Sequence, residues 1–106
     1  MKQGFVSNHW RDEHGNPDGG CAYGNGFCVS WQRGPMSRDG ARLQATGAFI
    51  EDVIASVVDR LEHHQQSKFA CAENAEAIAH LQQALVALER RTKARADRGV
   101  EGTHEK

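Results

Sequence analysis

Net charge of either sign is nearly missing from this chain, since 13 Lys and Arg stand against 14 Asp and Glu and leave −1 at neutral pH. A chain so close to neutral is not built mainly to neutralise a row of DNA phosphates or to lie on an anionic membrane. No run approaches the roughly 18 apolar residues of a spanning helix, and Met1-Lys2-Gln3-Gly4 leads into no hydrophobic signal region. The cytoplasm is the expected compartment. Cysteine is scarce and odd in number: Cys21, Cys28 and Cys71 leave at least one thiol unpaired in a monomer, a poor framework for a secreted fold. Aromatic side chains are few, at 7% of 106 residues, so the core of one protomer must be thin, and a long apolar face can require a second copy to cover it.

The usual signatures of catalysis are also missing. No Walker loop, dinucleotide fingerprint, paired glycosidase carboxylates or Ser-His arrangement can be read. The glycines of NPDGGCAYGNG are followed by no lysine and read as a turn. Cys71 has His64 seven residues before it, but it reads better as a small packed residue at a helix start than as a nucleophile. His9, His14, Cys21 and Cys28 are separated by four, six and six residues, without the close C-x-x-C knuckle of a structural zinc site. Neither metal nor cofactor is expected. His63, His64 and His80 read as solvated or interfacial.

What the chain does have divides into two grammars. Up to about residue 46 it holds most of the 11 glycines, both prolines and both tryptophans, with turn clusters at DEHGNPDGG and AYGNG. Within GFCVSWQRG, Phe27, Val29 and Trp31 alternate with Cys28, Ser30 and Gln32, the period-two pattern of a strand that Pro35 then ends. A second short strand through Phe5 to Trp10 is expected to pair with it across the glycine-rich turn. The aromatics Trp10, Tyr23, Phe27 and Trp31 share this half with Arg11 and Arg33, but without a long basic stripe they do not read as a DNA-binding surface.

From residue 47 the period changes. Phe49, Ile50, Val53, Ile54, Val57, Val58 and Leu61 recur at three and four, which predicts an amphipathic helix from about Gly47 to Gln66. After the short link SKFAC, with Phe69 expected to plug the end of the pair, Ile78, Leu81, Leu85 and Leu88 form a coiled-coil-like stripe that Asn74 and Thr92 extend. Gly99 is the expected helix stop. The expected fold is α+β: an antiparallel two-helix hairpin over 47–99, a glycine-rich region with a small β-strand or β-hairpin over 1–46, and a tail over 100–106, all in one domain.

The second helix is expected to outlast the first by about two turns from Arg90 onward. On a helical wheel Arg91, Arg95 and Arg98 fall within about 60° of one another beside the apolar stripe. Three guanidiniums so placed can clamp phosphates bidentately; they can equally be a solvated face paired with Glu89, Asp97 or Glu101. Asn74, polar in an apolar stripe, reads either as a cap or hydrogen bond to the link or as a ligand or interface contact.

The segments WQRGP, GAFIEDVIASVVDRLEHHQQSKFACAENAEAIAHLQQAL and ALERRTKARADRGVEGTH resemble a phage and prophage family with a helical hairpin domain, most closely the first class of Thoeris anti-defence proteins. The resemblance covers residues 26–104, with FAC-x-x-NA-x-AI and RRT-x-x-R-x-x-RGVEGTH its most specific parts. It implies a non-enzymatic sponge that sequesters glycocyclic ADP-ribose signals and, in some members, cyclic oligonucleotides of CBASS signalling at separate sites. It further implies a homodimer, in some members a homohexamer built as a trimer of dimers, acting in the cytoplasm of an infected bacterial host. By motif it points to Phe69 and Asn74 at the link, to Arg91, Thr92, Arg95, Arg98 and Thr103 at the far end, and to Trp31 and Arg33 in the WQRGP strand as ligand-binding candidates. Two other readings fit the residues alone: a protein-binding adaptor or structural oligomerisation domain, and a small nucleotide-cleaving enzyme.

Overall fold

The computed structural model describes residues 4–38 and 41–99. Its elements are β1 (Phe5–Arg11), β2 (Pro17–Gly24), β3 (Phe27–Trp31), β4 (Ser37–Arg38), β5 (Ala41–Arg42), α1 (Ile50–Gln65) and α2 (Ala72–Asp97). This is the expected α+β class with a helical hairpin. The described residues divide into two compact units, 4–49 and Ile50–Gly99.

In the first unit the strands form an antiparallel sheet in the order β1-β2-β3. The two expected strands exist, but they do not pair with each other. The glycine-rich stretch, read as a turn, is instead the strand between them. Its glycines are what close approach demands: a Cβ on Gly20 would collide with the Asn8 carbonyl oxygen, and Gly20 holds φ 141°, where side chains are strained. Gly24 lies in register between Phe5 and Phe27, whose rings meet edge to face at 6.0 Å and fill the space a side chain would take.

The true turns are short. Between β1 and β2 the Asp12 carboxylate accepts hydrogen bonds from the backbone N–H groups of His14 and Asn16, each at 2.9 Å. Between β2 and β3 the turn is Asn25-Gly26, with Gly26 at φ 93°.

The outer side of β3 is covered by its own chain. Ala48 donates to the Ser30 carbonyl at 2.7 Å and accepts from Gln32 N–H at 3.0 Å. The Gln32 side-chain oxygen takes the N–H groups of Thr46 (2.8 Å) and Gly47 (3.2 Å), while Thr46 Oγ1 accepts from Arg33 N–H at 3.0 Å. A Cβ on Gly47 would stand 2.5 Å from the Trp31 carbonyl oxygen, so glycine lets this segment lie against the strand. The loop expected after Pro35 also contains the two-residue pairing of β4 with β5.

In the second unit the helix interiors follow a heptad. On α1 the side turned toward α2 runs through Glu51, Ile54, Val58, Leu61 and Gln65; on α2 it runs through Asn74, Ile78, Leu81, Leu85, Leu88, Thr92 and Arg95. Val58, 7% exposed, is the most buried of them. The expected apolar face of α1 is wider than α2 can cover, and Ile50 and Val57 stay exposed, as does Val86 on α2. α1 starts at Ile50 rather than Gly47, because the residues before it are spent against β3.

Among described hydrophobic residues only Ala22 and Val58 are buried, and neither completely. No described helix is long and apolar enough to cross a membrane.

Replacing Gly20 by Ala combines φ strain with a backbone clash and should cost about 2 kcal/mol or more. Gly26→Ala has open space around it and carries the φ strain alone. Thermal melts followed by circular dichroism should place Gly20→Ala well below Gly26→Ala, and equal midpoints would refute the close-approach account of β2.

Candidate functional site

The link is built by one side chain. Gln65, at the last position of α1, accepts the Cys71 N–H through Oε1 at 2.9 Å and donates Nε2 to the Cys71 carbonyl at 3.0 Å. This two-way bond holds the end of α1 against the residue that precedes α2, as a strand pair would. Ser67 tightens the turn, donating to the His64 carbonyl at 2.6 Å and accepting from Phe69 N–H at 3.1 Å. Asn74 Nδ2 reaches back to the Phe69 carbonyl at 3.4 Å, so the hydrogen bond to the link is the reading of Asn74 that the geometry supports. Cys71 occupies the N-cap position without a side-chain cap.

Phe69 is not the expected plug. With the chain already reversed by Gln65 and Ser67, its ring has no interior to fill; it stands 65% exposed, with the Lys68 ammonium 5.3 Å from its centroid.

At the other end the overhang begins about half a turn later than expected, at Thr92 rather than Arg90. Arg91 Nη2 meets Glu51 Oε1 at 3.7 Å, which places Arg91 opposite the first turn of α1. Beyond it, Thr92 to Asp97 carries α2 past α1 by about 9 Å at 1.5 Å per residue. In place of the expected local partners Glu89, Asp97 or Glu101, Arg91 takes Glu51 on the facing helix. Thr92 Oγ1 donates to the Leu88 carbonyl at 3.1 Å and is held by its own helix. Arg95 falls half-buried on the heptad line itself, rather than beside it. Lys93 pairs with Asp97 at 3.4 Å. Arg98 is the C-cap, donating its backbone N–H to the Ala94 carbonyl at 3.2 Å, and Gly99, the expected stop, follows at φ 74° and donates its N–H to the Ala96 carbonyl at 3.0 Å. Positive side chains here complement the helix dipole.

The candidate residues therefore fall into separate groups. Asn74 and Arg91 stand about 25 Å apart along α2, so within one protomer no nucleotide-sized ligand touches both the link end and the arginine end. Trp31 and Arg33 belong to the first unit. Arg33 is committed there: its guanidinium lies 5.4 Å from the Trp10 ring and 3.5 Å from Asp18, and its carbonyl accepts from Gln32 and Thr46. Thr103 lies outside the described residues. Among the described residues, no group of three or more His, Cys, Asp or Glu is close enough to hold a metal ion; all three cysteines are free, Cys28 and Cys71 exposed and Cys21 half-buried.

Sequence reasoning missed Glu51, Gln65 and Thr46. For the first two a signal was there: both occupy stripe positions on α1, spaced three and four from Ile54 and Leu61, where a polar residue calls for a partner. Gln65→Ala should remove both link bonds and destabilise the protein by about 2 kcal/mol, read as a lower denaturant midpoint, whereas Gln66→Ala should change it little. Equal midpoints would remove Gln65 from its role.

Comparison with known proteins meets this geometry. Residues 29–93 match the family model described as the Acb2/Tad1 hairpin domain, which takes in WQRGP, both helices and the first arginines. A curated protein, Thoeris anti-defense 1 of Bacillus phage SBSphiJ7, is 50% identical over 78 residues, 74% of this chain and 52% of the relative, so the chain spans about half that protein's length. The match to the family model and the identity to this relative agree with the resemblance carried by the hairpin, and the chain belongs to the Acb2/Tad1 hairpin family.

Proposed function

We propose that the protein is an anti-defence sponge: it binds cyclic nucleotide-type immune signals, glycocyclic ADP-ribose first among them and cyclic oligonucleotides in addition, and holds them without cleavage. The observation that carries this reading is the last stretch of α2, where Arg91 stands opposite the first turn of α1 and Arg95 and Arg98 follow beyond it. Guanidiniums bind phosphate through charge-assisted, often paired, hydrogen bonds, and holding a ligand needs no activated nucleophile. The exposed Phe69 ring supplies the other requirement, an aromatic face on which adenine can stack.

These two halves stand at opposite ends of one hairpin. A ligand that uses both must lie between two copies set antiparallel, the link end of one beside the arginine end of the other. Exposed Ile50, Val57 and Val86 give such a dimer an apolar surface to bury, and two buried hydrophobic side chains among the described residues are little for a protomer to stand on alone. The same exposed apolar surface favours the second reading, a protein-binding adaptor.

Isothermal titration against glycocyclic ADP-ribose isomers and cyclic di- and trinucleotides, with bound ligand recovered and weighed, separates these readings. A sponge binds at least one member and returns it with unchanged mass; a changed mass makes the protein an enzyme, and no binding by any member leaves the adaptor. Arg95→Ala and Phe69→Ala should each weaken the bound signal by about 2 kcal/mol, roughly thirtyfold, while leaving the melting temperature near that of the unaltered protein. Full affinity in both variants would take the site away from these residues.

A further inference from the structure

β1 is an edge strand, and among the described residues no backbone group pairs with its outer side from Phe5 to His9. Every residue of β1 is exposed, whereas the opposite edge of the sheet, β3, is closed by Ala48. Which groups of β1 point outward follows from the hairpin beside it. The two-residue turn Asn25-Gly26 makes Gly24 and Phe27 a hydrogen-bonded pair, so Ala22 and Gly20 also bond to β3, while Cys21 and Tyr23 turn their N–H and C=O toward β1. Their partners Asn8 and Val6 bond back to them. That leaves the N–H and C=O of Phe5, Ser7 and His9 directed away from the sheet. The same alternation turns Ser30 and Gln32 outward on β3, and these are the residues that bond to Ala48.

We propose that β1 is an interface for a second copy of this chain, the two β1 strands lying antiparallel about a two-fold axis at Ser7. With Ser7 opposite Ser7 and Phe5 opposite His9, each outward N–H and C=O of these residues meets a partner; a slip by two residues leaves Phe5 or His9 without one. The strand is also its own complement in charge. No Asp, Glu, Lys or Arg lies between Phe5 and Trp10, so no like charges meet, and the Lys or Pro that commonly guards an exposed edge is missing from this stretch. The bulge between His9 and Arg11 ends the regular ladder where the pairing ends.

The side chains agree with that register. Ser7 Oγ lies 3.2 Å from His9 Nε2, which draws the edge of the imidazole along β1 and leaves the flat of the ring facing across the strands. Phe5 of the second copy, half exposed in one protomer, packs against that flat side. Phe27 and Phe5 of one copy then continue into His9 and Trp31 of the other, with only Gly24 and Gly20 between the members of each pair. The product is one antiparallel sheet in the order β3-β2-β1-β1-β2-β3. This contact uses the first unit alone and needs no ligand.

Amide exchange followed by NMR reads the pairing directly. The N–H groups of Val6 and Asn8 are protected by β2 in either state, whereas those of Phe5, Ser7 and His9 are protected only in the joined sheet and should lose protection on dilution. Ser7→Pro removes an N–H that points away from β2, which an edge strand tolerates, so the protomer should keep its fold. Its native mass by sedimentation should fall at a concentration where the unaltered chain is assembled, the contact weakening about a hundredfold. Ser7→Ala keeps the N–H and should assemble like the unaltered chain. Free exchange of Phe5, Ser7 and His9 at every concentration, or an undiminished mass for Ser7→Pro, would overturn the proposal and leave the edge to a strand of some other protein. Titration of the same variant with cyclic nucleotides bears on the sponge reading alone, so the two stand or fall separately.

Discussion

The pairing of two helices of unequal length governs the second unit. Both carry apolar residues at heptad spacing, so they can be closed in more than one register, and the polar residues at the ends of the stripe decide which. Gln65 binds both backbone groups of Cys71 at one end; Glu51 meets Arg91 at the other. Between these two points the lengths agree, and the excess of α2 is driven entirely to one end. A one-turn slip would bury Arg91 under α1 or leave Leu88 uncovered. The position of the arginines is therefore a product of register.

Much of this was legible in the residues. The three-and-four spacing of Ile54, Val58 and Leu61, and of Ile78, Leu81, Leu85 and Leu88, fixes two helices whatever surrounds them, and Gly99 ends the second where a left-handed residue is needed. The alternation of Phe27, Val29 and Trp31 likewise announces a strand. The middle strand was hidden because Pro17, Gly19, Gly20 and Gly24 are turn residues by local preference, while their use here is set by neighbours distant in sequence: the Asn8 carbonyl and the rings of Phe5 and Phe27. Propensity describes one residue, and close approach belongs to two chains.

The candidate site was legible to a similar depth. Arginines on one side of a helix can be counted from a sequence, but their partner cannot, since Glu51 precedes Arg91 by forty positions and meets it only when the hairpin closes. Phe69 shows the opposite error. An aromatic residue in a short link suggests a plug, but a glutamine had already closed that end, and the ring was left facing water. In WQRGP, Gln32 and Arg33 are engaged with Thr46, Gly47, Trp10 and Asp18, partners that no local pattern names.

That engagement has a practical side. Because Gln32 and Arg33 are tied to Thr46 and Gly47, the chain leaves the edge of the sheet and returns to it at one anchored point, like a thread knotted at both sides of a loop. The segment between, including the small β4–β5 pairing, can lengthen, shorten or diverge without loosening β3. It is the natural place for an experimenter to insert an affinity tag.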